Sequence, residues 1–85
     1  MGKISKAKRL KTEKLLLVEL IGRIASNIYR LRVRKGWTQN EAAQYCGMDI
    51  RMYQRVEGAE GSISLTSIAR LCSGFGVDAL RLLKP

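Results

Sequence analysis

The sequence predicts an all-α domain of five helices, and three observations carry that prediction. Apolar residues recur at spacings of three and four, the helical period, and nowhere alternate with polar residues for long enough to make a strand. Capping residues (Thr38, Asp49, Ser64 and Asp78) head the short runs, and glycines close most of them. The chain has 85 residues, 46% of them apolar, and one proline. That is the size of one domain with one modest core, and it leaves no flexible linker inside the chain.

In chain order, residues 1 to 11 are basic and lack apolar periodicity. Lys3, Lys6, Lys8, Arg9 and Lys11 would repel one another in a packed helix, so this segment reads as a mobile arm and residues 12 to 85 as the domain. From Thr12, a candidate N-cap, Leu17, Leu20, Ile21, Ile24, Ile28 and Leu31 line one face. Gly22 interrupts the run at a cost of ~1 kcal/mol. Residues 12 to 35 therefore read either as one helix or as two pieces bent near Gly22. Lys35-Gly36 closes the run with a basic last turn and a C-terminal glycine.

Thr38 and Glu41 have the spacing of a capping box, in which each side chain satisfies the other's free backbone N–H. That helix runs over Ala42, Ala43 and Tyr45 and stops at Cys46-Gly47. Asp49 caps the next, Ile50 to Glu57. Tyr53 and Val56 face inward there, and Ile50, Arg51, Gln54 and Arg55 face outward. After a loop over residues 58 to 62, Ser64 caps a fourth helix that offers Leu65, Ile68, Ala69, Leu71 and Cys72 to the core. Gly74 and Gly76 break it. Asp78 caps a last short helix holding Leu80, Leu82 and Leu83.

Charge narrows the function. The chain carries 16 Lys and Arg against 7 Asp and Glu, a net +9. Residues 1 to 35 hold 11 basic and 2 acidic side chains, whereas residues 36 to 85 hold 5 of each. Such a block attracts a polyanion by Coulomb forces and counterion release, which favours nucleic acid, with an anionic membrane surface as the alternative. No apolar stretch approaches the ~20 residues of a membrane span. Cys46 and Cys72 read as reduced core thiols, in keeping with a reducing cytoplasm, with a single disulfide as the minor alternative. With no histidine and no Cys-x-x-Cys, no zinc site can be built. No cofactor site and no catalytic constellation is visible, so an enzyme is not expected.

The two short helices capped at Thr38 and Asp49, joined by a tight turn at Gly47, have the spacing of a helix-turn-helix. Ala42 and Ala43 permit close approach of the second helix to the first. In that motif the first helix crosses the sugar-phosphate backbone and the second presents its outer face to base edges in the major groove. Residues 28 to 83 resemble the phage repressor/Cro-type (XRE-like) helix-turn-helix family. The resemblance is carried by Ile28-x-x-Leu31-Arg32, Lys35-Gly36-Trp37-Thr38-Gln39, Ala43, Gly47, Tyr53-Gln54-Arg55-Val56-Glu57, and Leu65 through Gly76-Val77.

The resemblance implies roles. Gln39, with Thr38 beside it, matches a phosphate-binding position. Ile50, Arg51 and Arg55 match base-facing positions, with Gln54 close by. Arg32 and Glu57 match a structural salt bridge between the first helix and the end of the recognition helix. Gly58-Ala59-Glu60-Gly61-Ser62 departs from the family's basic loop, so Lys3, Lys6, Lys8, Arg9 and Lys11 are the expected replacements as phosphate contacts. The function expected is sequence-specific binding of double-stranded DNA as a repressor or regulator in a prokaryotic or phage-encoded setting. The unshielded leucines near both ends (Leu15, Leu16, Leu17 and Leu20; Leu80, Leu82 and Leu83) point to a homodimer. A second reading uses the same fold as an adaptor or antitoxin-like partner of another protein, docking through Leu15 to Ile21. That stretch reads equally as extra core.

Overall fold

The computed structural model describes residues 4–85, so Lys3 lies outside the described residues. Five helices form: α1 (Lys6–Lys35), α2 (Gln39–Tyr45), α3 (Ile50–Glu57), α4 (Leu65–Phe75) and α5 (Ala79–Leu83).

The largest departure from the sequence reading is α1. It is one unbroken helix of 30 residues. It starts at Lys6, so residues 6–11 are helical and not an arm without regular structure. Its cap is Ser5, whose hydroxyl accepts the Lys8 N–H at 3.2 Å. Thr12, the expected cap, lies inside the helix and donates its hydroxyl to the Lys8 carbonyl at 3.0 Å. The pairs Arg9–Glu13 at 3.0 Å and Glu19–Arg23 at 2.7 Å, each four residues apart, brace the run. Like charges on a solvated helix cost only ~0.3 kcal/mol apiece, less than an already nucleated helix gains by propagating. At Gly36 the helix closes in a left-handed cap, with the Trp37 N–H on the Arg32 carbonyl at 3.1 Å.

The two halves of α1 live in different surroundings. From Ile21 onward it contributes Ile21, Ile24, Ala25, Asn27, Ile28 and Leu31 to the interior. Residues 4–20 are exposed throughout. A helix of this length spans ~45 Å, and the molecule measures 48 × 22 × 19 Å. The first half is therefore a spur beyond the body formed by the rest. Leu17 and Leu20, which the sequence leaves open between extra core and a dimer surface, are 46% and 40% exposed, with no described residue packed opposite them.

The remaining helices wrap the second half of α1. Tyr53, Ile28, Leu71 and Leu82 are fully buried, joined by Ala42, Ala43, Cys46, Val56 and Phe75. Two expected core residues of α4, Leu65 and Ala69, are exposed. The helix turns Ser67, Leu71 and Phe75 inward instead. Gly74, read as a breaker, lies within α4 and sets this orientation. A Cβ there would lie 2.7 Å from Cys46 Cα and 2.9 Å from its backbone nitrogen, so α4 meets the end of α2 at backbone contact. Both cysteines are free thiols, and burial pushes Cys46 up to about 11.

The C-terminal helix is held through main-chain atoms. Buried Asn27 donates its amide to the carbonyls of Leu82 at 2.7 Å and Lys84 at 2.9 Å, and accepts from Arg30 Nη2 at 2.7 Å. Arg23 Nη1 adds a bond to the Leu83 carbonyl at 3.4 Å. Of the three leucines expected to be unshielded here, Leu82 is buried and Leu83 half-buried, while Leu80 remains 73% exposed. Among the described residues no helix is long and apolar enough to cross a membrane.

Two glycines in helices are predicted to respond oppositely to a methyl group. Gly22 has no neighbour within 4 Å of an added Cβ. Gly22→Ala should therefore raise unfolding stability by ~0.5–1 kcal/mol. Gly74→Ala should lower it by ~1–3 kcal/mol through overpacking. Urea unfolding of the two variants checks both signs.

Candidate nucleic-acid interface

The interface is built on α2 and α3. Thr38 caps α2, its hydroxyl accepting the Glu41 N–H at 3.1 Å while Glu41 Oε1 accepts the Thr38 N–H at 2.9 Å. The expected capping box is therefore present. Gly47 turns the chain in the left-handed region at φ 62, which a side chain would strain. Asp49 then caps α3 by accepting the Arg51 N–H at 2.8 Å. Tyr53 and Val56 anchor α3 in the core. This anchoring leaves Arg51, Gln54 and Arg55 on the exposed face, as expected. Ile50, the first residue of α3, is only half outward: it is partly buried and packs against the core. Met52, not singled out in the sequence, is also exposed. Arg55 sits at the far end of the helix from Ile50, with its guanidinium close against Gly61 of the following loop. In that loop Ala59 takes a left-handed conformation at φ 57.

Beneath this face runs a chain of hydrogen bonds. Arg32 binds Glu57 through Nε at 2.9 Å and through Nη2 at 2.7 Å, and its Nη1 donates to the Trp37 carbonyl at 3.0 Å. The side chains of Arg32 and Glu57 are only 15% and 7% exposed. The sequence-matched ion pair is thus present and mostly dry. Glu57 Oε1 also accepts from Gln39 Nε2 at 3.3 Å, and Gln39 Oε1 accepts from Gln54 Nε2 at 3.2 Å. One network therefore joins α1, the first residue of α2, and both the outer face and the end of α3. Gln39 is half-buried and engaged at both ends of its amide, with spare donor capacity at the α2 N-terminus.

Electrostatics follow from this geometry. Burial alone would raise the Glu57 carboxyl, but the hydrogen bonds from Arg32 and Gln39, with the Tyr53 hydroxyl close by, outweigh it and hold the group below its ordinary value. The Arg32 guanidinium is raised in return, chiefly by its bond to Glu57. Burial lifts the Tyr53 phenol well above its ordinary value, and the nearby carboxylate of Glu57 adds to the rise. The Tyr53 hydroxyl lies in the interior beside that network without closing a well-formed hydrogen bond.

The structure does not bring every expected contact together. Lys6, Lys8, Arg9 and Lys11 are exposed on the spur, which projects away from the body. Asn27 was missed by sequence reasoning; its only signal was a lone amide between Ile24 and Ile28 on the buried face. Trp37 is half-buried and stacks on Tyr45 at 4.2 Å and on Phe75 at 5.6 Å, tying the turn before α2 to α4. Among the described residues no cluster of three or more His, Cys, Asp or Glu could hold a metal.

Residues 28–82 match the helix-turn-helix family model. Over 62 residues the chain is 39% identical to a hypothetical transcription factor of Neisseria meningitidis serogroup B. The match covers 73% of this chain and 58% of that protein, so the chain corresponds to little more than half of it. The crystal structure of the Neisseria hypothetical transcription factor NHTF superposes with a TM-score of 0.73 at 38% identity, covering 78% of this chain and 76% of that one. The restriction-modification controller protein C.AhdI of Aeromonas hydrophila superposes at 0.68 with 24% identity, over 73% of this chain and 94% of that one, a likeness of fold alone.

The ion pair yields a test with a worked sign. Removing one partner of a buried pair costs ~3–5 kcal/mol, so Glu57→Ala should lose about that much near neutral pH. The folded Glu57 value lies below 4.5. Its stabilisation is therefore present above that value and lost as pH falls through the folded value. The gap between the native chain and Glu57→Ala, measured by urea unfolding, should shrink progressively as the medium is acidified below 4.5.

Proposed function

Because the chain belongs to the helix-turn-helix family, we propose that it reads duplex DNA sequence-specifically and regulates transcription, as a repressor binding a two-fold operator as a homodimer. The observation that carries this reading is the outer face of α3. Arg51, Gln54 and Arg55 are exposed together on a helix whose opposite face is locked into the core, next to the N-terminus of α2. Arginine pairs bidentately with guanine O6 and N7, and the amide of glutamine suits adenine. In the complex α3 enters the major groove, Gln39 and Thr38 approach a phosphate at the start of α2, and Ile50 adds apolar contact to a thymine methyl at the rim. Arg32 and Glu57 hold the two helices in register and carry no sequence information. No chemistry is performed on the DNA. The protein acts in the cytoplasm of a prokaryotic or phage-infected cell. The unpartnered leucines of the spur support the dimer.

Selection of bound sites from random duplex DNA tests this directly. A single enriched two-fold motif is the expected result, and the absence of any enriched motif overturns it. On the selected site, Arg51→Ala and Arg55→Ala should each weaken specific binding by ~1–3 kcal/mol while leaving random duplex nearly unaffected. Equal weakening on both duplexes removes that residue from base reading.

The lysines of the spur should act differently. Lys6, Lys8 and Lys11 lie on solvated turns with no fixed partner among the side-chain bonds of the described residues. Replacing all three by Gln should make the slope of log K against log salt shallower by up to ~3, since each phosphate contact contributes about 0.9. The ranking of operator variants should be unchanged. An unaltered slope assigns the spur no DNA contact.

A further inference from the structure

The spur carries apolar residues that no other described residue covers. Leu10, Leu16, Leu17 and Leu20 are between 40% and 51% exposed. Leu10, Leu17 and Leu20 continue, at spacings of seven and three, the same face that Ile21, Ile24, Ile28 and Leu31 bury within the body. One stripe thus runs the length of α1, enclosed by the body in its second half and open in its first. We infer that the open half pairs antiparallel with the same segment of a second copy, Leu10 of one facing Leu20 of the other across a two-fold axis near Leu15. This inference deepens the homodimer reading and rests on it.

Three considerations select this occupant and orientation. First, a two-fold axis at that point maps the seam positions onto one another: Leu10 onto Leu20, and Glu13 onto Leu17. Glu13, the polar member of the seam, is already paired with Arg9 at 3.0 Å. Secondly, a parallel pair is sterically closed. In the body this face of α1 is occupied by α3, α4 and α5. Two such bodies, in molecules with a 22 × 19 Å cross-section, would have to coincide if their α1 helices ran side by side at the usual ~8–10 Å. An antiparallel pair sends the bodies to opposite ends, and only the first turn or two of each spur has to cross past the edge of the other body. Thirdly, charge agrees. Residues 6 to 14 carry five basic side chains and one acidic, whereas residues 16 to 24 carry Glu19 and Arg23. Parallel pairing stacks one basic stretch on the other. Antiparallel pairing lays each beside a neutral one.

The geometry also suits a two-fold operator. With ~1.5 Å rise per residue, the Ile28 positions at the centres of the two bodies fall about 39 Å apart. Half-sites one turn of DNA apart ask for ~34–36 Å between recognition helices. Leu15 and Val18 lie on the opposite side of the spur and stay outside the seam.

Light scattering and disulfide trapping on the full chain test this. The native protein should be a dimer. Leu17→Glu, which sets a second carboxylate against Glu13 of the other copy, should raise the dimer dissociation constant at least tenfold, and Leu15→Glu, the same charge change off the seam, should leave it unaltered. In a Cys72→Ser background, Leu10→Cys and Leu20→Cys proteins should each fail to self-link on mild oxidation. In the antiparallel pair two copies of position 20 stand about 15 Å apart, beyond the ~7 Å a disulfide spans. The two proteins mixed should link to each other. A native chain that is monomeric at every concentration, free and on DNA, removes the dimer reading and this seam with it. A dimer that survives Leu17→Glu, or dissociates equally with Leu15→Glu, overturns the seam and leaves the dimer standing. Self-linking of either cysteine variant overturns the orientation.

Discussion

A carboxylate removed from water at the end of α3 has to be matched, and Arg32 is what matches it. The fork of the guanidinium spends two nitrogens on Glu57 and a third on the Trp37 carbonyl, so a single side chain fixes α1, the turn before α2 and the end of α3. Everything the outer face of α3 presents depends on that fixation. An eight-residue helix has little stability of its own, and its direction comes from what holds its inner side. Tyr53 and Val56 hold it by packing, and Glu57 holds it by charge. Buried charges are weak evidence of net stability, because their desolvation offsets the attraction, but a pair of this geometry is intolerant of any other arrangement. The pair is best understood as setting the angle between helices.

The glycine contact between α2 and α4 complements it. Gly74 lets α4 rest on Cys46 at backbone distance, and Trp37 spans from Tyr45 to Phe75 on the adjoining side. The two short helices of the motif are therefore gripped from both flanks, by an ion pair on one and by close packing on the other. Their connection is a tight turn at Gly47, held by Met48 in the core and by a bond from Arg70 Nη1 to the Gly47 carbonyl at 3.4 Å.

What was legible in the sequence was mostly local. The caps at Thr38, Asp49, Ser64 and Asp78 could be read because a cap and its partner lie within three residues of each other. The inward pair on α3 followed from helical spacing, and Arg32 with Glu57 from the family resemblance. The start of α1 is not legible from charge alone: a run of lysines argues against a packed helix, but on a solvated surface the repulsion is slight and Ser5 and Arg9–Glu13 favour the fold. Leu65 and Ala69 were misplaced because a helix of 11 residues admits more than one inward stripe, and the choice was made by a glycine contact with a distant helix. Asn27 was invisible for the same reason: its partners are carbonyls 55 and 57 residues away. The proposed base-reading set of Ile50, Arg51, Gln54 and Arg55 rests on resemblance and outward spacing together, and the partial burial of Ile50 needed three dimensions.

The hydrogen bonds that climb from Glu57 through Gln39 to Gln54 have a direction. An ionised carboxylate has no proton to give, so the amide of Gln39 must turn its NH2 toward Glu57. Its carbonyl oxygen is then turned to Gln54, which must answer with its own NH2. The polarity of a half-buried amide, and through it that of an exposed one, is thus dictated from the interior. What Gln54 has left for the outside is its carbonyl oxygen and a single amide hydrogen. The chain of bonds behaves as a relay with one way of pointing, and only a group that can accept and never donate could have given it that sense.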